Sequence, residues 1–381
     1  MTSSGLRAVV TAAVFAVALC GCGPTVSPTI KIGVAQPLSG PSAARGQDLL
    51  NGVKLAAAEL NAAGFRIAGK PVRIEVVALD DKGDKDVAKQ VAQQFVDQKV
   101  TAVIGHLSSD VTEVAIPIYK AGSVPQLFTS SAAELTKLGQ GNTFRLVAND
   151  ALQAKAIASY LTQTLNASKV AILYEETAFG APMSKDVTAA LKRQDRKVEI
   201  SEGVDNKRTD FAAFIAKLKA AHADVLVAAV RDHQLIPLFQ QMKAAGLSDL
   251  PVVATSVAKT EKMVRAPADV NALFLTSSAL LPTEFPAGSE FLNRFRAAYK
   301  ADPVWAAHYA YDGVYVLANT LKSADSTDPS VLRAKLKTAD VVAPVTSYMR
   351  FDADGEQRYG TITVYRKRDS RWEALMRSDK W

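Results

Sequence analysis

The feature that most limits how this chain can fold is a rhythm of short apolar runs separated by single amphipathic stretches, started once and then started again. Residues 30–36 (IKIGVAQ) have the apolar density of a buried strand. Residues 47–61 place Leu50, Val53, Leu55, Ala58 and Leu60 near helical spacing, with Gly64 as the stop. A strand over 72–79, an amphipathic helix over 84–97 and an apolar strand over 100–104 follow. Strands joined through single helices make parallel βαβ units, so the expected class is α/β with doubly wound parallel sheets. After about residue 150 the pattern restarts, with strands expected at 170–174, 198–200, 225–230 and 252–254. Helices are expected between them at 182–193, 210–220 and 234–245. Residues 285–337 read as mostly helical, and strands return at 348–351, 361–365 and 372–375 around a turn at 352–355. Ligands collect at the carboxyl ends of open parallel sheets, where helix N-termini supply free N–H donors. Two such sheets facing each other form a cleft.

The first residues read as an address. Arg7 is the only charge before Lys31, and residues 8–19 (AVVTAAVFAVAL) are almost continuously apolar. That run suits a signal peptide and is too short for a mature span. It ends in LCGC at 19–22, which resembles a bacterial lipobox with Cys22 as the lipidated residue. Residues 1–21 are therefore expected to be removed, and 22–29 to serve as a tether. Both cysteines of the chain lie in this tetrad, so the exported body is expected to hold together without disulfides. A formal net charge of +7 raises the question of nucleic acid. The basic residues are scattered, the densest group being Arg366-Lys367-Arg368, and the export signal argues against that partner. No G-x-S-x-G elbow is present, Gly139 and Gly141 lack a third dinucleotide-loop glycine, and the four histidines are widely spaced. A binding protein without cofactor or metal is expected rather than an enzyme.

Several segments in order resemble type I periplasmic binding proteins, and most of all the leucine/isoleucine/valine receptors of ABC importers. They are IKIGVAQPLSGPSAARGQDLLNGVKLAAAELNAAG (30–64), LDDKGD (79–84), AVIGHLSS (102–109), YKAGSVPQLFTSSAAELT (119–136) and QQMKAAGL (240–247). The resemblance implies two Rossmann-like lobes joined by a three-strand hinge and closing on ligand. Lobe 1 is expected over 30–148 plus 279–345, and lobe 2 over 149–278 plus 346–381. The crossovers are expected near 147–150, 277–281 and 343–347. The implied partners are a small solute, a permease and an ATPase, with membrane attachment through lipid only and a monomeric state. A sensory domain of the same fold, which normally travels with a signalling or DNA-binding domain, is the alternative, and an anchored hydrolase a more distant one.

By the same resemblance, Ser109 corresponds to the serine that holds a ligand carboxylate. Ser108-Ser109-Asp110 follows a strand and opens a helix, which suits an anion equally well on physical grounds; a plain serine N-cap fits the same residues. Thr129 and Ser131 correspond to contacts with the same head group, and Phe179 to an aromatic cover from the second lobe. The departures lie elsewhere. Amino-acid-binding members place an aromatic where this chain has Arg45, a tyrosine near Arg231, and an acid near Thr255 to receive the ammonium. Here Asp232, beside Arg231, is the nearest acid. Two guanidinium groups favour an organic acid, aromatic or 2-oxo, over leucine; if both arginines face solvent, Asp232 takes an ammonium instead. Trp305, Tyr309 and Tyr311 sit on an apolar helix and read as core, and Asp80-Asp81 as a strand-end turn. The family's frequent disulfide near Gly83 and Ser108 cannot form in this chain.

Overall fold

Strands form where aliphatic and β-branched residues bunch, and each gives way to a helix at a polar cap or a glycine. The computed structural model describes Met1 and residues 28–267 and 269–380; residues 2–21 of the expected signal peptide, Cys22 and most of the tether lie outside the described residues. The chain begins with β1 (Thr29–Gln36), α1 (Ala43–Ala62), a small hairpin of β2 (Arg66–Ile67) and β3 (Lys70–Pro71), and β4 (Arg73–Asp80). It continues through α2 (Lys85–Asp97), β5 (Ala102–Gly105), α3 (Ser109–Ala121), β6 (Gln126–Phe128), the single turn α4 (Leu135–Leu138) and β7 (Thr143–Arg145). The strands form one parallel sheet in the order β4-β1-β5-β6-β7. Strand β1 lies between two neighbours with helices on both faces, which is why its sequence is nearly all apolar instead of alternating.

The second lobe repeats the scheme. It comprises α5 (Asp150–Ser159), β8 (Lys169–Glu175), α6 (Gly180–Lys192), β9 (Lys197–Val204), α7 (Ala212–Ala221), β10 (Val225–Ala229), α8 (Asp232–Ala244), β11 (Val252–Ala254), α9 (Glu261–Arg265) and β12 (Leu273–Ser277). The chain returns to the first lobe as α10 (Gly288–Tyr299), α11 (Ala307–Ser323), α12 (Pro329–Leu336) and the hairpin β13 (Asp340–Ala343) and β14 (Ser347–Arg350). It ends in the second lobe with β15 (Thr363–Arg368) and β16 (Arg371–Arg377), which add an antiparallel edge. The second sheet has the order β16-β15-β12-β11-β10-β8-β9. No helix among the described residues is long and apolar enough to cross a membrane.

The chain passes between lobes after Val147, after Ser277 and a third time after Glu356. The third passage differs from the expected 343–347. Hairpin β13–β14 buries Val341, Ala343 and Met349 in the first lobe's core, and Phe351 packs on Phe144 at 5.1 Å between centroids. Glu356 then pairs with Arg145, so residues 346–356 belong to lobe 1. Ile362 is the first residue beyond them to pack with Ala148 and Ala156 beside the second sheet.

Helix α1 starts at Ala43, earlier than periodicity alone places it, and this turn carries Arg45 to the cleft edge. Three residues on, Asp48 accepts N–H bonds from Val304 (2.8 Å), Trp305 (3.0 Å), Ala306 and Ala307 (both 2.9 Å). One carboxylate of α1 thus caps the start of α11 and fixes Trp305 next to Arg45.

Candidate functional site

The lobe 1 wall of the cleft is made where β5 and β6 end. Ser108 occupies the N-cap of α3 with extended backbone, yet its side chain makes no capping hydrogen bond. The first-turn N–H groups of α3 are therefore left for another acceptor. Ser109 Oγ accepts weakly from Ala132 N (3.3 Å), and Ser130 Oγ meets Thr112 Oγ1 at 2.8 Å. Thr129 is 4% exposed, and its hydroxyl has no partner among the described residues. A buried hydroxyl left unpaired costs stability, which marks it as a group awaiting a ligand atom.

This loop is held from behind. Fully buried Arg145 donates to the carbonyls of Ser130 and Ala132 and pairs with Glu356 (Nε–Oε2 3.0 Å). Asp150 N donates to Ser131 O (2.8 Å). The carbonyls of Ser130, Ser131 and Ala132 are tied inward, and Thr129, Ser130 and Ser131 line the cleft, with the Thr129 hydroxyl the one of the three left unpaired among the described residues.

Arg45 enters from the first turn of α1 with its guanidinium 3.7 Å above the Trp305 ring. Its Nε has no hydrogen-bond partner among the described residues. Burial, then the charge of Arg231, pulls its pKa down to about 10, and Asp232 and Asp48 pull the other way; it remains cationic at neutral pH. Arg231 comes from the opposite lobe as the N-cap of α8 and pairs with Glu175 (Nη1–Oε2 3.1 Å). Glu175 is almost fully buried, and burial raises its pKa while Arg231 lowers it. Asp232 accepts from Thr260 Oγ1 (2.8 Å) and sits in the first turn of α8, where the helix dipole favours its charge. Glu175 and Asp232 are thus already engaged, as is Asp110 at the chamber, which lies 3.6 Å from Lys85 Nζ, whereas among the described residues no acid forms an ion pair with Arg45.

These groups surround a small inner chamber of about 60 Å³, shared by both lobes and lined by Arg45, Ser108, Ser109, Thr129, Ser131, Phe179 and Arg231. Ser42, Ser130, Ser256, Val257 and Trp305 complete its wall with Leu107 and Asp110. It opens into a larger cleft of about 680 Å³ that includes Asp232. The lobes also touch directly, through Ala178 N and Asp110 Oδ1 at 3.0 Å. Thr255 does not line the chamber. It is fully buried as the cap of the turn Ser256–Ala258, and that turn presents Ser256 and Val257 in its place.

Sequence reasoning placed Trp305 in the core, and it is 5% exposed, but its ring also forms a chamber wall. Tyr309 and Tyr311 stay in the core. Lys259, likewise unread, is buried with Nζ donating to Ala279 O (2.7 Å) and lying 5.7 Å from the Trp305 ring. Burial pulls its pKa down to about 7.

The chain matches the family described as periplasmic binding protein over residues 29–368. It is 30% identical to Leu/Ile/Val-binding protein homolog 2 of Brucella abortus, over 91% of this chain and 93% of that one. Among solved structures it is similar to the substrate-binding protein LivJ of a branched-chain amino acid transporter from Streptococcus pneumoniae, in complex with isoleucine. That similarity has 29% identity and a TM-score of 0.79, covering 91% of this chain and 99% of the other. A solute-binding protein of an ABC transporter from Rhodopseudomonas palustris, in complex with 3,4-dihydroxy benzoic acid, shares the fold. There the TM-score is 0.77 at 20% identity, with 92% and 97% of the two chains covered.

Proposed function

The chain belongs to the periplasmic binding protein family as a substrate-binding component of the branched-chain amino acid ABC transporter type, and on that premise we propose that it captures a carboxylate-bearing organic acid, aromatic or 2-oxo, that lacks an amine. Members of this family bind solutes and are not enzymes. The observation that carries the reading is the charge pattern at the chamber. Arg45 faces it without an acid partner, α3 offers uncapped N–H groups, and Thr129 offers an unpaired hydroxyl. An ammonium group would have to compete with Arg231 for Glu175 or with Thr260 for Asp232. The one acid on the chamber wall, Asp110, already accepts from Ala178 N and lies 3.6 Å from Lys85 Nζ; a carboxylate meets donors on the rest of the polar wall, and charge-assisted bonds to it are the strong ones. The fold itself houses an aromatic acid in the Rhodopseudomonas palustris protein.

In this reading Ser109, Thr129, Ser131 and the α3 N-terminus hold the carboxylate. Arg45 and Arg231 close on it from opposite lobes, Phe179 and Trp305 wall its chamber, and Val257 lies against the organic body where it leaves that chamber. Ser108 contributes its backbone, and Asp232 orients Thr260. Closure hands the solute to a permease and its ATPase, with Cys22 carrying the lipid that keeps the exported protein at the membrane. The lipid is tested by palmitate labelling of the wild type and of Cys22→Ala.

The ligand test uses purified protein, unfolded and refolded to strip any carried solute, and thermal shifts with leucine, isoleucine, valine, aromatic acids and 2-oxo acids. Ligand at a hundred times its Kd stabilises by about 2.7 kcal/mol, readily seen as a shift. Shifts with amine-free acids are expected. Tight leucine binding with none for the acids would sink the proposal and move the ammonium to Asp232, in line with the names of the relatives.

A further inference from the structure

The cleft is divided into two unequal chambers whose common neck is formed by Ser42, Arg45, Leu107, Ser108, Arg231 and Val257. The inner one, about 60 Å³, has room for a few water-sized groups. That is enough for a carboxylate but far below the roughly 300–1,000 Å³ of ordinary small-molecule sites. The outer one, about 680 Å³, is of that size. A solute whose carboxylate sits in the inner chamber must therefore extend its body past the neck and end in the outer chamber.

The chemistry of the outer chamber states what that end should be. Its wall carries Lys82 from lobe 1 and Lys207, Lys262 and His233 from lobe 2, in addition to the two arginines of the neck. Among the described residues none of the three lysine ammonium groups forms an ion pair. The acids of the same wall are spoken for: Asp81 is fully buried against His106 (2.6 Å), and Asp232 accepts from Thr260. His233 Nε2 lies 2.7 Å from Asn206 O, which holds its ring at the wall. Besides the two arginines, the neck carries Leu107 from lobe 1 and Val257 from lobe 2, and Pro37 and Pro41 line the outer chamber with them, so an apolar spacer has apolar surface to lie on.

We infer that the solute is a dianion: one carboxylate held in the inner chamber, an apolar spacer through the neck, and a second anionic group among Lys82, Lys207 and Lys262. The inference rests on the carboxylate reading above and sharpens it to a substrate class. Solvent-exposed lysines alone are weak partners, because each pair is screened by salt. Here all three line one cleft, Lys82 from lobe 1 and Lys207 and Lys262 from lobe 2, so closure on a distal anion would bring several of them to it and displace water from each.

The test is isothermal titration of the refolded protein with matched pairs. One series sets straight-chain α,ω-dicarboxylates of increasing length against monocarboxylates of the same length; another sets terephthalate against benzoate. At one length the dicarboxylate should bind at least about tenfold more tightly than its monoacid, with an advantage that shrinks as salt is raised. The double variant Lys207→Gln/Lys262→Gln, altered only at exposed positions, should remove most of that advantage and leave monoacid affinity within about twofold. Equal affinity of mono- and diacids at every length overturns the inference while leaving the carboxylate reading intact. Equal weakening of both classes by the double variant does the same. Absence of binding by every carboxylate, with leucine bound, overturns both.

Discussion

Replacing Asp48 tests whether one carboxylate of α1 builds the site from a distance. Asp48 is 4% exposed. Its Oδ2 accepts from three N–H groups, those of Trp305, Ala306 and Ala307, and its Oδ1 from that of Val304. Asp48→Ala leaves all four donors at the start of α11 without an acceptor. Hydrogen bonds to a charged group are worth about 1.5–3 kcal/mol each but are not additive when they share an acceptor, and water can refill part of the space. Leaving buried N–H groups without an acceptor costs about 1–3 kcal/mol each before water refills the space, so a total loss of about 2–4 kcal/mol is expected here. Asp48→Asn separates the geometry from the charge. An amide whose oxygen takes the Oδ2 position keeps three of the four bonds and sets its NH2 against Val304 N–H, a loss of about 1–2 kcal/mol. The assay is urea unfolding of ligand-free protein at pH 8, where a carboxylate with its pKa pushed up to about 6 is ionised. Carboxylate affinity is measured alongside, since Trp305 is fixed by the same bonds and carries Arg45. An alanine variant losing less than about 1 kcal/mol, or an asparagine variant as unstable as the alanine one, would refute the capping argument.

Gly52→Ala is expected to destabilise by about 1–3 kcal/mol or more in the same unfolding assay, because an added Cβ would lie 2.0 Å from Ala307 O where α1 crosses α11. Burial pushes the carboxyls of Asp150 and Asp312 up to about 7. Their folded-state pKa values exceed the unfolded ones, so the stability they contribute is present below about pH 4 and lost as pH rises towards 7. Asp150→Asn or Asp312→Asn should flatten that slope by on the order of 2–4 kcal/mol across the window, as read from urea midpoints at stepped pH. Arg45→Met, which keeps an apolar chain over Trp305, should lower carboxylate affinity at least about tenfold. In the ligand-free state it should give a smaller radius of gyration by small-angle scattering; an unchanged or larger radius counts against like-charge repulsion as a barrier to closure.

Much of this was legible because it is local or ordered along the chain. The apolar runs at 30–36 and 225–230 announce buried parallel strands, and Ser108-Ser109 after a strand announces a helix N-terminus at a sheet edge. Arg45, Phe179 and Arg231 were set at one cleft only through the resemblance to the family, and they line one chamber here. The rest depends on partners far away in sequence. Asp48 reads as an ordinary polar residue of an amphipathic helix, since nothing near it hints at a helix start 256 residues later. Trp305 lies before an apolar helix whose periodicity assigns every aromatic to the core, and a ring can be buried there and still present a face to the cleft. Thr255 is buried behind the turn after β11, which presents Ser256 and Val257 to the chamber in its place. The third crossover shifted because hairpin β13–β14 docks on α11, a contact no local signal encodes. Where the family often has a disulfide near Gly83 and Ser108, this chain joins the neighbouring segments through Asp81 and His106.

The position of the two arginines bears on how the clamp can wait for its solute. Arg45 belongs to lobe 1 and Arg231 to lobe 2, and the charge of Arg231 is, after burial, the largest influence lowering the pKa of Arg45. Closing the empty cleft therefore brings two cations together as water is withdrawn, and Glu175 offsets only the one in its own lobe. A carboxylate between them reverses the sign of that interaction: each guanidinium then attracts the ligand more than it repels its counterpart. A ligand shifts a conformational equilibrium only by the difference in its affinity for the two states. An anion that touches Arg231 from one side and Arg45 from the other has such a difference built in, because only the closed form presents both. On the proposed reading, leucine brings the same carboxylate but adds an ammonium to this cationic chamber, so its net gain on closure is smaller. The charge pattern proposed to select against an amine would thus also oppose closure of the empty cleft.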